Sequence, residues 1–464
     1  MTKSRVKKLK GGYVEGDYVL YWMQASQREE FNLALEFAVQ CANDQEKPLV
    51  VFFSLYPDFP EANTRHFSFM LQGLQQTART IQGRQIRFAC STGDPREIVL
   101  SIAKRASCVV FDKGYTHLCR KWRRSILKAI DAMVFEIEDN VVIPVRDASH
   151  KEEYSAATLR RKIMNVLPAY LEETRTVKLE THSLDLDLQM EELSLDDLEG
   201  ALERLRADNK VPASSCFNGG TDNAKKLLAD FIEYKLPAYH DLRNDPCKEY
   251  QSSLSPYLHF GQVSPIFVAQ QVLKHPGPGA DAFIEELIVR RELSMNFVYY
   301  NQSYDSLDAL PEWARSTLRD HAQDPRPYTY SLEELESSKT HDPYWNAAQT
   351  EMVITGKTHN YMRMYWGKKV IEWSPSVETA FDNLIYLNNK YELDGRDPNS
   401  YAGVLWCFGK HDRPWKERQI FGKIRYMNSS GLERKFDMKC YIERVSKLKQ
   451  LSRDRPRRNN LIRE

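Results

Sequence analysis

The first 145 residues alternate short apolar runs with amphipathic stretches, a pattern that leaves few ways to fold. The runs are YVLYWM (18–23), LVVFF (49–53), QIRFAC (85–90), CVVFD (108–112) and MVFEI (133–137). Helix-like segments such as 27–43 and 63–82 fall between them. Continuous apolar strands joined by helical crossovers predict a parallel sheet covered on both faces, a doubly wound α/β domain over 1–145. Neither GxGxxG nor GxxxxGK[ST] occurs, so the sequence has no dinucleotide fingerprint and no P-loop. A ligand of this sheet is expected at the carboxyl ends of its strands, near Trp22–Ser26 or Asp112–Tyr115.

The chain has 464 residues, room for two or three domains with full cores. Residues 146–215 are predicted to form a connector, with helix plausible over 151–173 followed by an acidic stretch. From 216 to about 450 the pattern turns helical with many aromatic anchors, which predicts a large all-α domain. Residues 451–464 form a basic tail. The opening MTKSRVKKLKGG lacks an apolar segment behind its charges, so it is no secretory signal. A frayed tail is favoured there over a basic arm touching phosphates. No run approaches the length needed to span a bilayer. Eight cysteines without CxxC or Cys/His ligand spacing predict free thiols and no structural zinc. The expectation is a cytoplasmic protein, nuclear if eukaryotic, not secreted, and monomeric.

A net charge of +1 conceals a strong asymmetry. Residues 180–199 carry eight Asp or Glu and no Lys or Arg, whereas 405–464 carry seventeen Lys or Arg against seven acids. A basic, aromatic-bearing end suits a nucleic-acid partner, because neutralising phosphates supplies sequence-independent affinity. For 453–464 a solvated tail is the favoured reading, and for 405–427 binding is. Five of the eight tryptophans lie between His341 and Met427. Trp366 and Trp373 would share one helix face about 10.5 Å apart along the axis, workable for electron transfer but also ordinary core spacing, which periodicity alone favours. Two segments suggest a phosphate site. One is the glycine pair of FNGGTDNAKKLLADFI (217–232). The other is YQSSLSPYLHFGQVSP (250–265), where serines before Pro256 predict a capped helix start suited to a diphosphate, or simply a well-capped helix.

Several long, ordered motifs then carry a resemblance. SSLSPYLHFGQVSP, EELIVRRELSMNF, HDPYWNAAQ, RMYWGKKVIEW, NNKYELDGRDPNSYAG and FGKIRYM together resemble the class II cyclobutane pyrimidine dimer photolyases, over nearly the whole chain and most densely from about 217 to 440. The resemblance implies an α/β antenna domain, a helical FAD-binding domain, and light-driven repair of pyrimidine dimers in ultraviolet-damaged DNA. It leaves open whether an antenna chromophore, a deazaflavin or another, is present.

Residue by residue, the resemblance makes Tyr239 and the run Gln251, Ser252, Ser253, Leu254 and Ser255 contacts to the flavin phosphates and ribityl chain. Arg363 matches a flavin-contacting arginine, and Asn388 an asparagine beside flavin N5. Asp394, Arg396 and Asp397 match the loop along the isoalloxazine edge, although these acids alone read as turn caps. Trp345, Trp366 and Trp373 match the tryptophan chain that photoreduces the flavin, with Trp366 and Trp345 inner and Trp373 outer. Glu286, Met364 and Trp406 would form the lesion pocket, with Arg243 near the DNA backbone or lesion. Glu286 would otherwise pair with Arg290 at i,i+4. Trp415 and Arg413 match the segment that fills the space left by flipped bases, and Lys423 and Arg425 would contact phosphates. Repair by electron loan needs no nucleophile and no general base, and no metal is expected.

Leu33 and Arg290 stand where relatives often carry tryptophan, DKGYTHLCRKW replaces a more usual strand-end loop, and Met295 precedes Asn296 where an acid is common. Two other readings remain open. One is a cryptochrome-like flavin photoreceptor without repair activity. The other is a light-independent nucleic-acid-binding protein whose tryptophans are only core.

Overall fold

The computed structural model describes residues 3–12, 14–171 and 174–454. The basic tail at 455–464 lies outside the described residues. The chain divides into two compact units. The first comprises 1–212, 218–237 and 252–301, and the second 213–217, 238–251 and 302–464. This division differs from the sequence-based limits at 145, 215 and 450, since it groups the helical stretches 218–237 and 252–301 with the α/β part.

The first unit is built on a six-stranded sheet of β1 (Val6–Lys10), β2 (Tyr18–Met23), β3 (Leu49–Leu55), β4 (Arg87–Thr92), β5 (Ala106–Asp112) and β6 (Met133–Ile137). Their order is β1-β6-β5-β2-β3-β4. The strands β2 to β6 are parallel, as their apolar runs predict, and helices such as Leu33–Asp44 and Thr64–Gly83 supply the crossovers. Every residue of β2 and β5 is buried. Tyr18, Leu20 and Trp22, two apart, pack on one face with Val109, Phe111 and Trp122. The expected frayed start is instead an antiparallel edge strand, β1, pairing Val6 with Ile137. Three lysines in five residues hide its strand character from propensity, yet lysines suit an exposed edge. Buried Arg5 anchors it by donating to the carbonyls of Glu138 (3.0 Å) and Val141 (3.1 Å).

The acidic connector covers the opposite edge. Ser183 Oγ accepts the Arg87 N–H (2.7 Å) and donates to Leu49 O (2.6 Å), Leu193 N–H donates to Cys90 O (2.7 Å), and Leu188 enters the core. Its carboxylates point where they can pair, as in Arg87–Glu192 at 2.5 Å. The glycine pair expected to feed a phosphate site serves packing: a Cβ on Gly219 would run into the Phe69 carbonyl, and Gly220 N–H donates to Gln262 Oε1 (2.7 Å). Gly261, at φ +67°, likewise lies against the Ala25 carbonyl. Met295 is buried, and nothing in the structure explains its replacing an acid; its neighbour Asn296 has a clear role. Its amide donates to Lys151 O (2.9 Å) and accepts Glu153 N–H (2.8 Å), fixing the start of the connector.

The strand order reverses between β2 and β5. There the buried Asp112 carboxylate accepts the N–H groups of Gln24, Ala25 and Ser26 (2.9–3.1 Å) and the Tyr21 hydroxyl (3.1 Å). Burial raises its pKa against the pull of those amides. One of the two expected ligand-binding strand ends is thus occupied with fastening the other.

The second unit is helical. Its helices Pro343–Thr355, Asn360–Trp373, Val377–Tyr391 and Pro398–Cys407 follow one another, and Met438–Asp454 packs on the first of them. Two start alike: Asp342 and Asp397 cap the backbone N–H groups ahead, each followed by proline at the first helical position. Asp397 therefore is the cap that its Asp-Pro sequence suggests. Cys247 and Cys440 form a disulfide with Cα atoms 5.8 Å apart, which corrects the expectation of eight free thiols. They lie 193 residues apart, so spacing carries no sign of the pair. Among the described residues, no helix is long and apolar enough to cross a membrane.

Candidate active site

The three tryptophans expected to conduct electrons touch in series within the second unit. Trp345 lies nearly parallel to Trp366, with centroids 6.5 Å apart and planes 9° apart, and meets Trp373 edge-on at 5.7 Å. All three are buried. Trp366 and Trp373 do sit on one helix, but the ring linking them comes from the neighbouring helix. Indole N–H bonds lock the geometry: Trp345 donates to Trp366 O (3.0 Å) and Trp366 to Gln349 Oε1 (2.8 Å). Gln349 escaped the sequence reading, although AAQ directly follows the HDPYWN signature.

Arg363 lies one helical turn before Trp366. Its guanidinium pairs with Glu392 (2.8 Å) and Asp394 (3.3 Å), and Lys357 approaches Asp394 at 3.9 Å. Burial opposes charge on Arg363, but the two carboxylates outweigh it and raise its pKa. Fully buried Glu392 responds oppositely. Burial pushes its pKa up to about 7, against the pull of Arg363. Glu392 stands inside the quoted NNKYELDGRDPNSYAG, yet only the three-dimensional pairing reveals its partner. His359 caps this helix by accepting Tyr361 N–H (3.3 Å) and, with its pKa lowered to about 3 by burial, stays neutral as that role requires.

Asn388 is buried at the end of Val377–Tyr391, where its amide donates to Asn389 Oδ1 (3.1 Å). That oxygen also accepts Arg396 N–H (2.9 Å), so the unpredicted Asn389 ties Asn388 to the Asp394–Asp397 loop. Gly395 makes the approach feasible, because a Cβ there would meet Asn389 Cα at 2.9 Å. Arg396 adopts φ +67°.

The basic face is a pinched hairpin. Trp415 N–H donates to Lys423 O (2.8 Å), Arg418 N–H to Gly422 O (2.9 Å), and Gly422 turns at φ +52°. The Arg425 guanidinium lies 4.3 Å over Trp415 and 5.5 Å over Trp406, and Asp412 approaches it at 3.5 Å. Arg413 also lies over Trp415, at 5.4 Å, and Trp415 remains 39% exposed. Lys423 is exposed, and Trp406 and Met364 are half-buried. Arg243 stacks over Tyr239 at 5.6 Å. Gln251 closes the same segment of the second unit.

The remaining candidates belong to the first unit. Ser255–His259 is a five-residue helix whose cap position is Leu254, not a serine, and no side chain caps it. Ser255 is itself helical and Pro256 second, so the expected serine cap is corrected. Ser253 takes φ +58° instead, turning the chain into the helix, while Ser252 Oγ accepts Leu254 N–H (3.4 Å). The alternative Glu286–Arg290 pair is corrected too. Glu285–Arg290 is a π-helical turn, which brings i and i+5 together, and Arg290 bonds Glu285 (3.1 Å). Glu286 is half-buried beside it.

Comparison with known proteins places this architecture. A DNA photolyase family model matches residues 19–179. An archaeal photolyase structure from Sulfolobus tokodaii, described with two FAD molecules, superposes with a TM-score of 0.71 at 15% identity, covering 94% of both chains. The fold is thus that of the photolyases. Deoxyribodipyrimidine photo-lyases from Methanothermobacter thermautotrophicus and Arabidopsis thaliana are 48% and 43% identical, covering 95% and 93% of this chain and 98% and 89% of their own lengths. The chain belongs to the deoxyribodipyrimidine photo-lyase family, and it is a light-driven DNA-repair enzyme rather than a cryptochrome-like receptor.

The buried Glu392 gives a pH signature. Its folded pKa of about 7 exceeds the ordinary 4.5, so the folded state retains a proton that the unfolded chain releases. Its contribution is complete below about pH 4.5 and lost as pH rises through about 7, on the order of 3 kcal/mol in total. Denaturant titrations across that range should show wild-type stability declining with pH more steeply than Glu392→Gln; parallel curves would remove the buried acid from the site's electrostatics.

Proposed function

We propose that the second unit binds FAD and that the enzyme is of the class II type, splitting cyclobutane pyrimidine dimers swung out of DNA. The observation that carries this reading is the unbroken contact Trp366–Trp345–Trp373, buried beside a polar site. The residues suit such a cofactor. Arg363 Nε and Gln349 Nε2 are buried donors without a hydrogen-bond partner, which an acceptor-rich ligand would satisfy. When bound, FAD in its reduced form supplies the photoexcitable one-electron donor that opens the cyclobutane ring and takes the electron back.

The chain's own residues position and insulate. Arg363, braced by Glu392 and Asp394, presents a fixed cation with an unused N–H. Asn388, held through Asn389, offers a neutral amide where a charge would be costly to bury. Asp394, Arg396 and Asp397 line the cofactor's edge, and Tyr239 and Gln251 hold its phosphates and ribityl chain. The tryptophans pass electrons inward to load the catalyst, dry and rigid so that little reorganises. Met364 and Trp406 receive the dimer, whose apolar faces suit an aromatic wall. Trp415 and Arg413 fill the gap left in the duplex, while Arg243, Lys423 and Arg425 meet the backbone. Arg425, already stacked and paired, contributes a fixed charge rather than a mobile one. The enzyme acts as a monomer where DNA is kept, in the cytoplasm or nucleus.

Trp345→Phe should abolish most photoreduction of the oxidised FAD-loaded protein, measured by bleaching of its visible bands, while repair begun from chemically reduced protein persists. Photoreduction at the wild-type rate would exclude Trp345 from the path. Trp406→Ala should weaken binding of dimer-containing oligonucleotide by about 1–3 kcal/mol, the usual worth of one base–aromatic stack. Equal affinity in a gel-shift titration would take Trp406 out of the pocket.

A further inference from the structure

Beyond Trp373 the aromatic contacts continue to the surface. The Tyr330 ring meets Trp373 edge-on at 5.4 Å, and His341 lies 5.3 Å from the same indole. Tyr330 is half-buried, His341 exposed and Trp373 buried, so the three step outward from core to solvent. Tyr330 and His341 are also joined by two hydrogen bonds. The Tyr330 oxygen accepts the backbone N–H of His341 (3.0 Å), and its hydroxyl lies 2.6 Å from His341 Nδ1. With hydrogen on its Nε2, the imidazole leaves Nδ1 as an acceptor for the phenol proton, and this is the tautomer that the step below uses.

A phenol is difficult to oxidise while it keeps its proton, because the resulting radical cation is a very strong acid. A base already hydrogen-bonded to the hydroxyl removes that obstacle, since electron and proton can leave together. We infer that Tyr330 is the terminal electron donor of the tryptophan relay and that His341 takes its proton; this rests on the relay proposed above. The oxidant is the photoexcited oxidised flavin, which draws an electron through the indoles and leaves the Trp373 radical cation. Tyr330 then gives one electron to Trp373 and one proton to His341 Nδ1, producing a neutral tyrosyl radical, restored tryptophan and an imidazolium. Charge recombination then requires the proton to return, so the separated state outlives one ending on tryptophan. The Lys369 ammonium, 5.6 Å over the Trp373 ring, disfavours a positive hole there, although Glu372 at 2.5 Å tempers it.

The test uses the full-length FAD-loaded protein, illuminated, frozen and read by electron paramagnetic resonance, with and without ring-deuterated tyrosine. The wild type should trap a tyrosyl signal that narrows on tyrosine deuteration. In Tyr330→Phe that signal should be replaced by a tryptophanyl one indifferent to the label, and His341→Gln should also lose the tyrosyl species. Formation of the final radical should slow in D2O for the wild type and not for Tyr330→Phe, a difference that a merely structural Tyr330 would not produce. Identical tryptophanyl signals in wild type and Tyr330→Phe would overturn the assignment while leaving the relay standing. A tyrosyl signal surviving Tyr330→Phe would overturn it in favour of another tyrosine, such as Tyr328, which stacks on His341 at 3.8 Å. Absence of any tryptophan or tyrosine radical in every variant would remove the relay itself, and this proposal with it.

Discussion

Trp345 is wedged against a neighbouring helix, its ring stacked on Trp366 and its edge against Trp373, while its N–H bonds the Trp366 carbonyl. That one packing contact joins, as the proposed relay, three side chains that would otherwise be core filler. It requires the helix Pro343–Thr355 to start where it does, so the Asp342 cap and the proline after it bear on the proposed relay as well as on stability. Removing a buried indole typically costs about 3–5 kcal/mol, so the path and the core cannot be separated energetically. Conservative aromatic replacements are therefore the informative ones.

Around these indoles, charge is held in place rather than avoided. Arg363, Glu392, Asp394 and Lys357 form a network with little solvent access. Isolated, each would incur a large desolvation penalty; together they fix one another's positions at modest net cost. Glu392 is the member closest to its limit, poised near neutrality by burial. The basic hairpin proposed to meet DNA follows a different logic. Arg425, Trp415 and Asp412 make a stacked and paired unit before any nucleic acid arrives, which lowers the entropy lost on binding.

The sequence was legible where one residue's environment follows from its neighbours. Strands β2 to β6 announce themselves as continuous apolar runs, and Asp-Pro pairs mark helix starts. It was opaque where structure depends on distant partners. The strand β1 is concealed by its lysines, and its anchor Arg5 is bound by carbonyls more than 130 residues away. Cys247 and Cys440 meet across 193 residues. Gly219 and Gly220 looked like a phosphate turn because glycine serves close packing and tight turns alike. Arg290 chose Glu285 over Glu286 because a π-turn, invisible to a 3.6-residue periodicity, shifts the register by one. The aromatic relay lay between these cases. Its residues were identifiable from motifs, but the bridging position of Trp345 needed two helices to be packed.

Light-driven reversal of the lesion is the most direct test. A purified sample bearing flavin absorption bands, mixed with an oligonucleotide containing one cyclobutane thymine dimer, should convert it to two intact thymines under blue light and leave it unchanged in darkness. A folded, flavin-loaded and fully reduced sample that binds the oligonucleotide yet leaves the dimer closed under illumination would contradict the reading of this site.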